Sequence, residues 1–366
     1  MRARFVLAAT FLIPLVLVAR AEDDTPGAPA PAAAPADDGI LGVGDAAPSL
    51  TIAEWVKGDP VEKFEPGRIY VVEFWATWCG PCVAGMPHLS AVQAEYRDHG
   101  VTVIGVSSAD RNGNSLPKVK RMVADKGDTM AYTVAWDRER ATNDAWMLAA
   151  RRNGIPCCFV VDGTGHIAYV GHPMWLDIPL AHLAKGDFDA AACAAEVAGG
   201  ENALDAAFGA MRNDPAAALE QLDAFAERFP AAASQFADTR FALAVRAGDA
   251  ERIAKLADVL VAEGVARRDA QRLNGVAWAL VDPATPLAER HLDLALEAAS
   301  AANALSGGND AAVLDTLARV YHWRGDVSRA ITLQKKAVAI ATAEGGDAAL
   351  AADLQRTLAE YEKGAK

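Results

Sequence analysis

Residues 69–82 read Ile69-Tyr70-Val71-Val72-Glu73-Phe74-Trp75-Ala76-Thr77-Trp78-Cys79-Gly80-Pro81-Cys82. The first seven make a strongly apolar run that reads as a buried strand. From Cys82 to Arg97 the spacing turns helical, with Val83, Met86, Leu89, Val92 and Tyr96 on one side and a kink expected at Pro87. A Cys-x-x-Cys at a strand-to-helix junction forms a redox pair. A sulfur in the first helical turn sits at the positive end of the macrodipole, beside unpaired backbone N–H groups, and this favours thiolate. Cys79 takes that place and is the candidate nucleophile. Cys82 lies one turn further in, where it can resolve a mixed disulfide. Gly80 and Pro81 suit a helix start. Two plainer readings stay open here, half of a zinc site and a static disulfide. The zinc reading lacks a second Cys-x-x-Cys or a matched His pair. A staple closing so short a loop removes little chain entropy.

The rest of the chain narrows the class. Its 366 residues are enough for two domains, and a formal charge of −13 argues against nucleic-acid binding. Five cysteines exclude a disulfide-dense scaffold. Residues 1–21 have the form of a signal peptide: Arg2 and Arg4, an apolar core from Phe5 to Val18, and Ala19-Arg20-Ala21 as the cleavage site. The run is shorter than the ~20 residues of a membrane span, so cleavage is preferred to a retained anchor. No Cys stands at the cleavage site to take a lipid. Cleavage removes three arginines, takes the charge from −13 to −16, and places the mature chain in the periplasm or otherwise outside the cytoplasm. Residues 22–42, rich in Pro and Ala, read as an extended linker that spaces the protein from the membrane surface.

Residues 43–189 alternate between strand and helix. Strands are expected at 69–75, 101–106, 132–136 and 157–161. Helices are expected at 116–126 and 141–152. The turn Asp162-Gly163-Thr164-Gly165 leads to a hairpin partner at 166–170. That pattern predicts an α/β fold with a mixed central sheet and helices on both faces. Residues 190–366 lose the strands and become Ala-rich and helical. Leu317, Ala318, Tyr321, Gly325, Ala330 and Ala337 lie where a tetratricopeptide helix–turn–helix wants them. Ala247-Gly248-Asp249 and Arg324-Gly325-Asp326 read as inter-helix turns. An all-α, tetratricopeptide-like domain of stacked helix pairs is expected, with an irregular bundle as the alternative.

The stretch from Phe74 to Cys82, Glu73 before it, Pro87 after it, and Gly154-Ile155-Pro156 ahead of a strand and Asp162-Gly163 together resemble the thioredoxin superfamily. The resemblance is to its extracytoplasmic thiol–disulfide oxidoreductases of the TlpA and ResA type, over residues 43–189. It implies a thioredoxin fold, with residues 101–152 holding the insertion typical of that branch. It also implies a buried acid at Glu73 that exchanges a proton with Cys82, and a cis peptide before Pro156. The Ile155 backbone would then pair with an extended substrate. Trp78 would shield the site or contact substrate. The chain departs from the family at Cys157-Cys158. Strand alternation points these thiols to opposite faces. Three readings stand for them: small buried residues, an auxiliary thiol exchanging with the main pair, or, for Cys157 together with Cys79 and Cys82, a soft-metal site. No metal site is assigned. His88, His166 and His172 show no ligand spacing, and Cys193 reads as core.

The function expected is dithiol–disulfide exchange on protein substrates. The redox-active Cys79–Cys82 disulfide is the only cofactor, an upstream electron donor is required, and the Gly-Pro pair resembles reducing members. A peroxiredoxin-like peroxidase is the enzymatic alternative. A helical module that docks a protein partner and carries a redox domain is the other.

Overall fold

The computed structural model describes residues 39–343 and 348–364; the signal segment and the linker up to Asp38 lie outside them. Six strands form one sheet: β1 (Ile52–Lys57), β2 (Ile69–Trp75), β3 (Val101–Ser107), β4 (Thr133–Asp137), β5 (Cys157–Val161) and β6 (Ile167–Gly171), in the order β1-β4-β3-β2-β5-β6. β2, β3 and β4 run parallel, and β1, β5 and β6 join antiparallel. This is the mixed sheet of the thioredoxin fold. β2 is buried along its whole length, which explains why its sequence is apolar without a break. β1 was not legible in the sequence. It is a half-exposed edge strand with two register shifts, so Ile-Ala-Glu-Trp-Val-Lys shows no clean alternation.

The faces of β2 sort the core. Tyr70, Val72 and Phe74 pack with Trp146 and Phe159 on one side; Ile69, Val71 and Trp75 pack with Cys82, Met86 and Leu89 of α1 (Gly80–Glu95) on the other. α2 (Leu116–Lys126) adds Val119 and Val123 to the α1 side. The opposite side is covered by α3 (Ala141–Asn143) and a π-helical run, Asp144–Leu148. A plain α-helix over 141–152 was expected there. Instead Ala149 N–H donates to the Asp144 carbonyl and Arg152 N–H to that of Met147. The widened turn brings the adjacent Trp146 and Met147 both into the core.

Beyond β6, among the described residues, every regular element is helical: α4 (Asp177–Lys185), α5 (Ala190–Ala210), α6 (Pro215–Arg228), α7 (Pro230–Ala233), α8 (Ala237–Ala247), α9 (Ala250–Ala266), α10 (Ala270–Val281), α11 (Leu292–Leu305), α12 (Ala311–Trp323), α13 (Val327–Ala341) and α14 (Ala348–Gly364). Aspartates set the starts. Asp189, Asp214, Asp249, Asp269, Asp310 and Asp326 each accept a backbone N–H of the first turn they precede. The two expected Gly-Asp turns fall at the α8–α9 and α12–α13 junctions. A buried carboxylate, Asp315, accepts from Arg319 (3.1 Å) and Gln334 (2.8 Å), and Arg319 reaches Thr357, so α12, α13 and α14 are tied together.

No break in packing separates strands from helices. One apolar cluster runs from Ile69 to Val320. Trp175 meets Phe225 and Phe229 edge-on, at 5.9 and 5.5 Å between ring centroids. Its indole also presses on α5 at Gly200, where a Cβ would lie 2.4 Å from the ring. Gly200→Ala should therefore destabilise by about 1–3 kcal/mol. Gly275→Ala, mid-helix with open space around its Cα, should stabilise by about 0.5–1 kcal/mol. Opposite shifts in urea midpoint are expected. A neutral Gly200→Ala would mean that Trp175 is loosely held.

Candidate active site

Cys79 is the N-cap of α1, with φ −78° and ψ 97°, and Pro81 stands in the first turn. The Cys79 and Cys82 sulfurs are 2.07 Å apart, a disulfide. The Cys82 amide donates to Cys79 Sγ at 3.2 Å. That sulfur thus receives a backbone N–H that the helix start leaves unpaired, the arrangement that favours charge on it once the pair is reduced. Both cysteines are buried, at 3% exposure each, and the residue before Cys79 lines a neighbouring cleft. Trp78, 47% exposed, and Ile155 line that cleft.

The loop carrying the dithiol is held from the side by residues 107–114. Asn114 Oδ1 accepts from Thr77 N (3.1 Å) and Thr77 Oγ1 (2.8 Å), while its Nδ2 donates to Ser107 Oγ (2.9 Å) and the Ser108 carbonyl (2.7 Å). Asp110 accepts the Trp78 indole N–H at 2.6 Å. Neither Asn114 nor Asp110 was picked out in the sequence, where Asn-Gly-Asn looks like any turn. Only the burial of Asn114 separates it from a solvated loop residue.

The Ile155–Pro156 peptide is cis. Phe74 is paired with Cys157 in the antiparallel β2–β5 register, so Pro156 comes level with Trp75, where β2 runs out towards the dithiol. Glu73 sits deeper, 1% exposed, between Gly105 of β3 and Cys158 of β5. It falls on the face of β2 that packs on Cys82 and Met86. Burial alone pushes its carboxyl up to about 8. Beside it, among the described residues, the Tyr132 hydroxyl and the Trp75 indole N–H are buried without a partner. Both crowd over Gly105, where a Cβ would meet Tyr132 Cε2 at 3.0 Å and Trp75 Nε1 at 3.1 Å. A carboxyl poised near neutrality can take up or release a proton there.

Cys157 and Cys158 lie on opposite faces, Cys157 with Phe74 and Phe159, Cys158 with Cys82 and Val160. Burial pushes Cys157 up to about 11, with Arg152 pulling the other way, and pushes Cys158 well above the usual thiol range. Cys158 also donates to the Gly171 carbonyl at 3.4 Å. Both therefore stay protonated at neutral pH, a poor state for attack. Among the described residues no cluster of three or more His, Cys, Asp or Glu side chains is placed to hold a metal ion. His88 pairs instead with Asp177 at 3.2 Å, joining α1 to α4. His172 Nδ1 accepts the Met174 amide, and His166 meets Thr164. Cys193 is buried in the main cluster.

Residues 43–170 match the AhpC/TSA family model. Protein FixW of Rhizobium leguminosarum is 28% identical over 153 residues, covering 41% of this chain and 69% of its own. Thiol-disulfide oxidoreductase ResA of Oceanobacillus iheyensis is 41% identical over 75 residues, 19% of this chain and 39% of its own. Thiol:disulfide interchange protein DsbE of Pasteurella multocida is 30% identical over 109 residues, 30% and 53% respectively. The chain thus spans about half or less of the length of these last two relatives. A solved thiol-disulfide isomerase from Corynebacterium glutamicum is 26% identical, covering 37% of this chain and 96% of its own at a TM-score of 0.33. Residues 43–170 are thus similar to the AhpC/TSA family and, in part, to proteins named as thiol-disulfide oxidoreductases.

The raised Glu73 carboxyl has a consequence for stability. The folded state holds its proton more tightly than the unfolded chain, so stability is full below the unfolded value of about 4.3 and falls as pH rises through about 8. The melting temperature of the wild type should drop between those limits, and Glu73→Gln should flatten that slope. A slope equal in both proteins would place the proton elsewhere. Alkylation supplies a second check. In the oxidised native protein Cys157 and Cys158 should resist iodoacetamide at neutral pH and react only on unfolding; rapid native labelling of either would show that it is open to partners.

Proposed function

We propose that this protein is an extracytoplasmic reductase of polypeptide disulfides. The observation that carries the reading is Cys79 at the N-cap of α1, bonded to Cys82 and receiving its amide N–H. In the reduced protein the Cys79 thiolate attacks one sulfur of a substrate disulfide. The substrate S–S bond breaks and its other sulfur leaves as thiolate. Cys82 then loses its proton to the Glu73 carboxylate and attacks Cys79 Sγ. The mixed disulfide breaks, the second substrate thiolate departs, and the Cys79–Cys82 bond forms. Two electrons have passed to the substrate, and an upstream donor must return them. The Gly-Pro pair supports the reducing direction, since thioredoxin, which is reducing, has a potential near about −270 mV. The basic, apolar N-terminal segment supports export. Pro156 and Ile155 border the approach, and the Ile155 backbone is the edge on which an extended substrate would pair. The helical half is the surface for a protein partner. A peroxidase reading has no comparable support, because the Cys79 sulfur is already matched to a resolving sulfur three residues on.

Insulin disulfide reduction should fall to background in Cys79→Ser. Cys82→Ala should instead accumulate mixed disulfides that can be identified by mass spectrometry. Glu73→Gln should remove the ionisation near pH 8 from the pH–rate profile of the resolving step. Reduction that survives Cys79→Ser would end the assignment, and an unchanged profile would remove Glu73 from the mechanism.

A further inference from the structure

The cleft beside the dithiol, about 250 Å³, has Trp78 and Ile155 at its dithiol end and Arg140 and Arg152 among its other walls. Arg152 is exposed, and among the described residues its guanidinium takes no hydrogen bond or ion pair. Arg140 is steered rather than free. It donates to the Ala109 carbonyl (3.2 Å) and to Asn143 Oδ1 (2.5 Å), and Asp144 lies 3.9 Å from its Nε. The carboxylate in the lining, Asp110, is already occupied. One oxygen takes the Trp78 indole N–H, and the other takes the amides of Asn112 and Asn114. Arg111 joins Arg140 around a shallow hollow next to the cleft. A chain of net charge −13 thus turns cations with unspent hydrogen-bonding capacity towards a cleft that Trp78, the residue before Cys79, and Ile155 also line.

The geometry points to substrate polypeptides whose cysteines are flanked by carboxylates, held by Arg152 and Arg140 while the mixed disulfide with Cys79 forms and resolves. This inference rests on the exchange chemistry proposed above and adds the class of polypeptide that chemistry serves. A guanidinium offers a planar fork of donors matched to a carboxylate. Complementary charge at the mouth of a site raises the encounter rate with the right partner and penalises a basic one. Asn153 and Asn143, also in the lining, supply neutral donors and acceptors for the peptide backbone between those charges.

The test uses the full-length reduced protein and disulfide-linked peptides identical except for residues flanking the cysteine: glutamates, serines or lysines. At low salt the wild type should reduce the glutamate peptide about fivefold faster, in kcat/KM, than the serine peptide, a ratio fitting exposed charge pairs. The lysine peptide should be slower than both. Raising salt to about 1 M, where the screening length is about 3 Å, should bring the ratios towards one. Arg152→Ser should lower the glutamate-to-serine ratio, and Arg152→Glu should invert it so that the lysine peptide leads. Circular dichroism confirms that each variant folds. Equal rates for the three peptides, with reduction still dependent on Cys79, would overturn the inference and leave the exchange reading standing. A glutamate preference untouched by Arg152→Glu would overturn it as well. Reduction of none of the peptides, or reduction that persists in Cys79→Ser, would overturn both.

Discussion

The amide of Cys82, donating to the Cys79 sulfur across the first turn of α1, is the contact on which the site depends. It exists only because β2 stops at Trp75 and the chain reaches the helix start within a few residues. The macrodipole, the unpaired N–H groups and the second sulfur then come together at one point. Asn114 and Asp110 hold the connecting loop from outside, so the geometry owes as much to the turn after β3 as to the motif itself. A sulfur at a loosely held helix start would meet a shifting set of donors.

Below that point the sheet supplies a second device. Glu73 is surrounded by a glycine, a thiol, a phenol and an indole, and among the described residues no cation offsets its burial. Its carboxyl is expensive to ionise, and this brings it to the range where proton exchange with a thiol is nearly balanced. Gly105 makes the arrangement possible, because any side chain there would displace Tyr132 or Trp75. The thiol of Cys158 shares this dry interior, that of Cys157 is buried on the opposite face of the sheet, and desolvation keeps both protonated.

Much of this was legible in the residues. The buried run 69–75, the Cys-x-x-Cys at its end and the Ile155-Pro156 step ahead of a strand are local patterns whose physics is short-range. The alternation that separates Cys157 from Cys158 is likewise local. What was not legible depends on distant partners. β1 is a strand because β4 offers it an edge, and its own side chains give no period. The π turn at 144–148 follows from a core that needs two adjacent side chains. Asn114 and Arg152 carry no motif, and acquire meaning only when the chain folds them beside Thr77 and Ile155.

The shared apolar cluster has one more consequence. Trp175 packs against Gly200 of α5, Phe225 of α6 and Phe229, and Met174 and Leu176 beside it are buried too. The helical arm is accordingly a wall of the redox unit and not a passenger on a tether. A chain cut off after β6 would expose a greasy flank instead of yielding a free-standing catalyst.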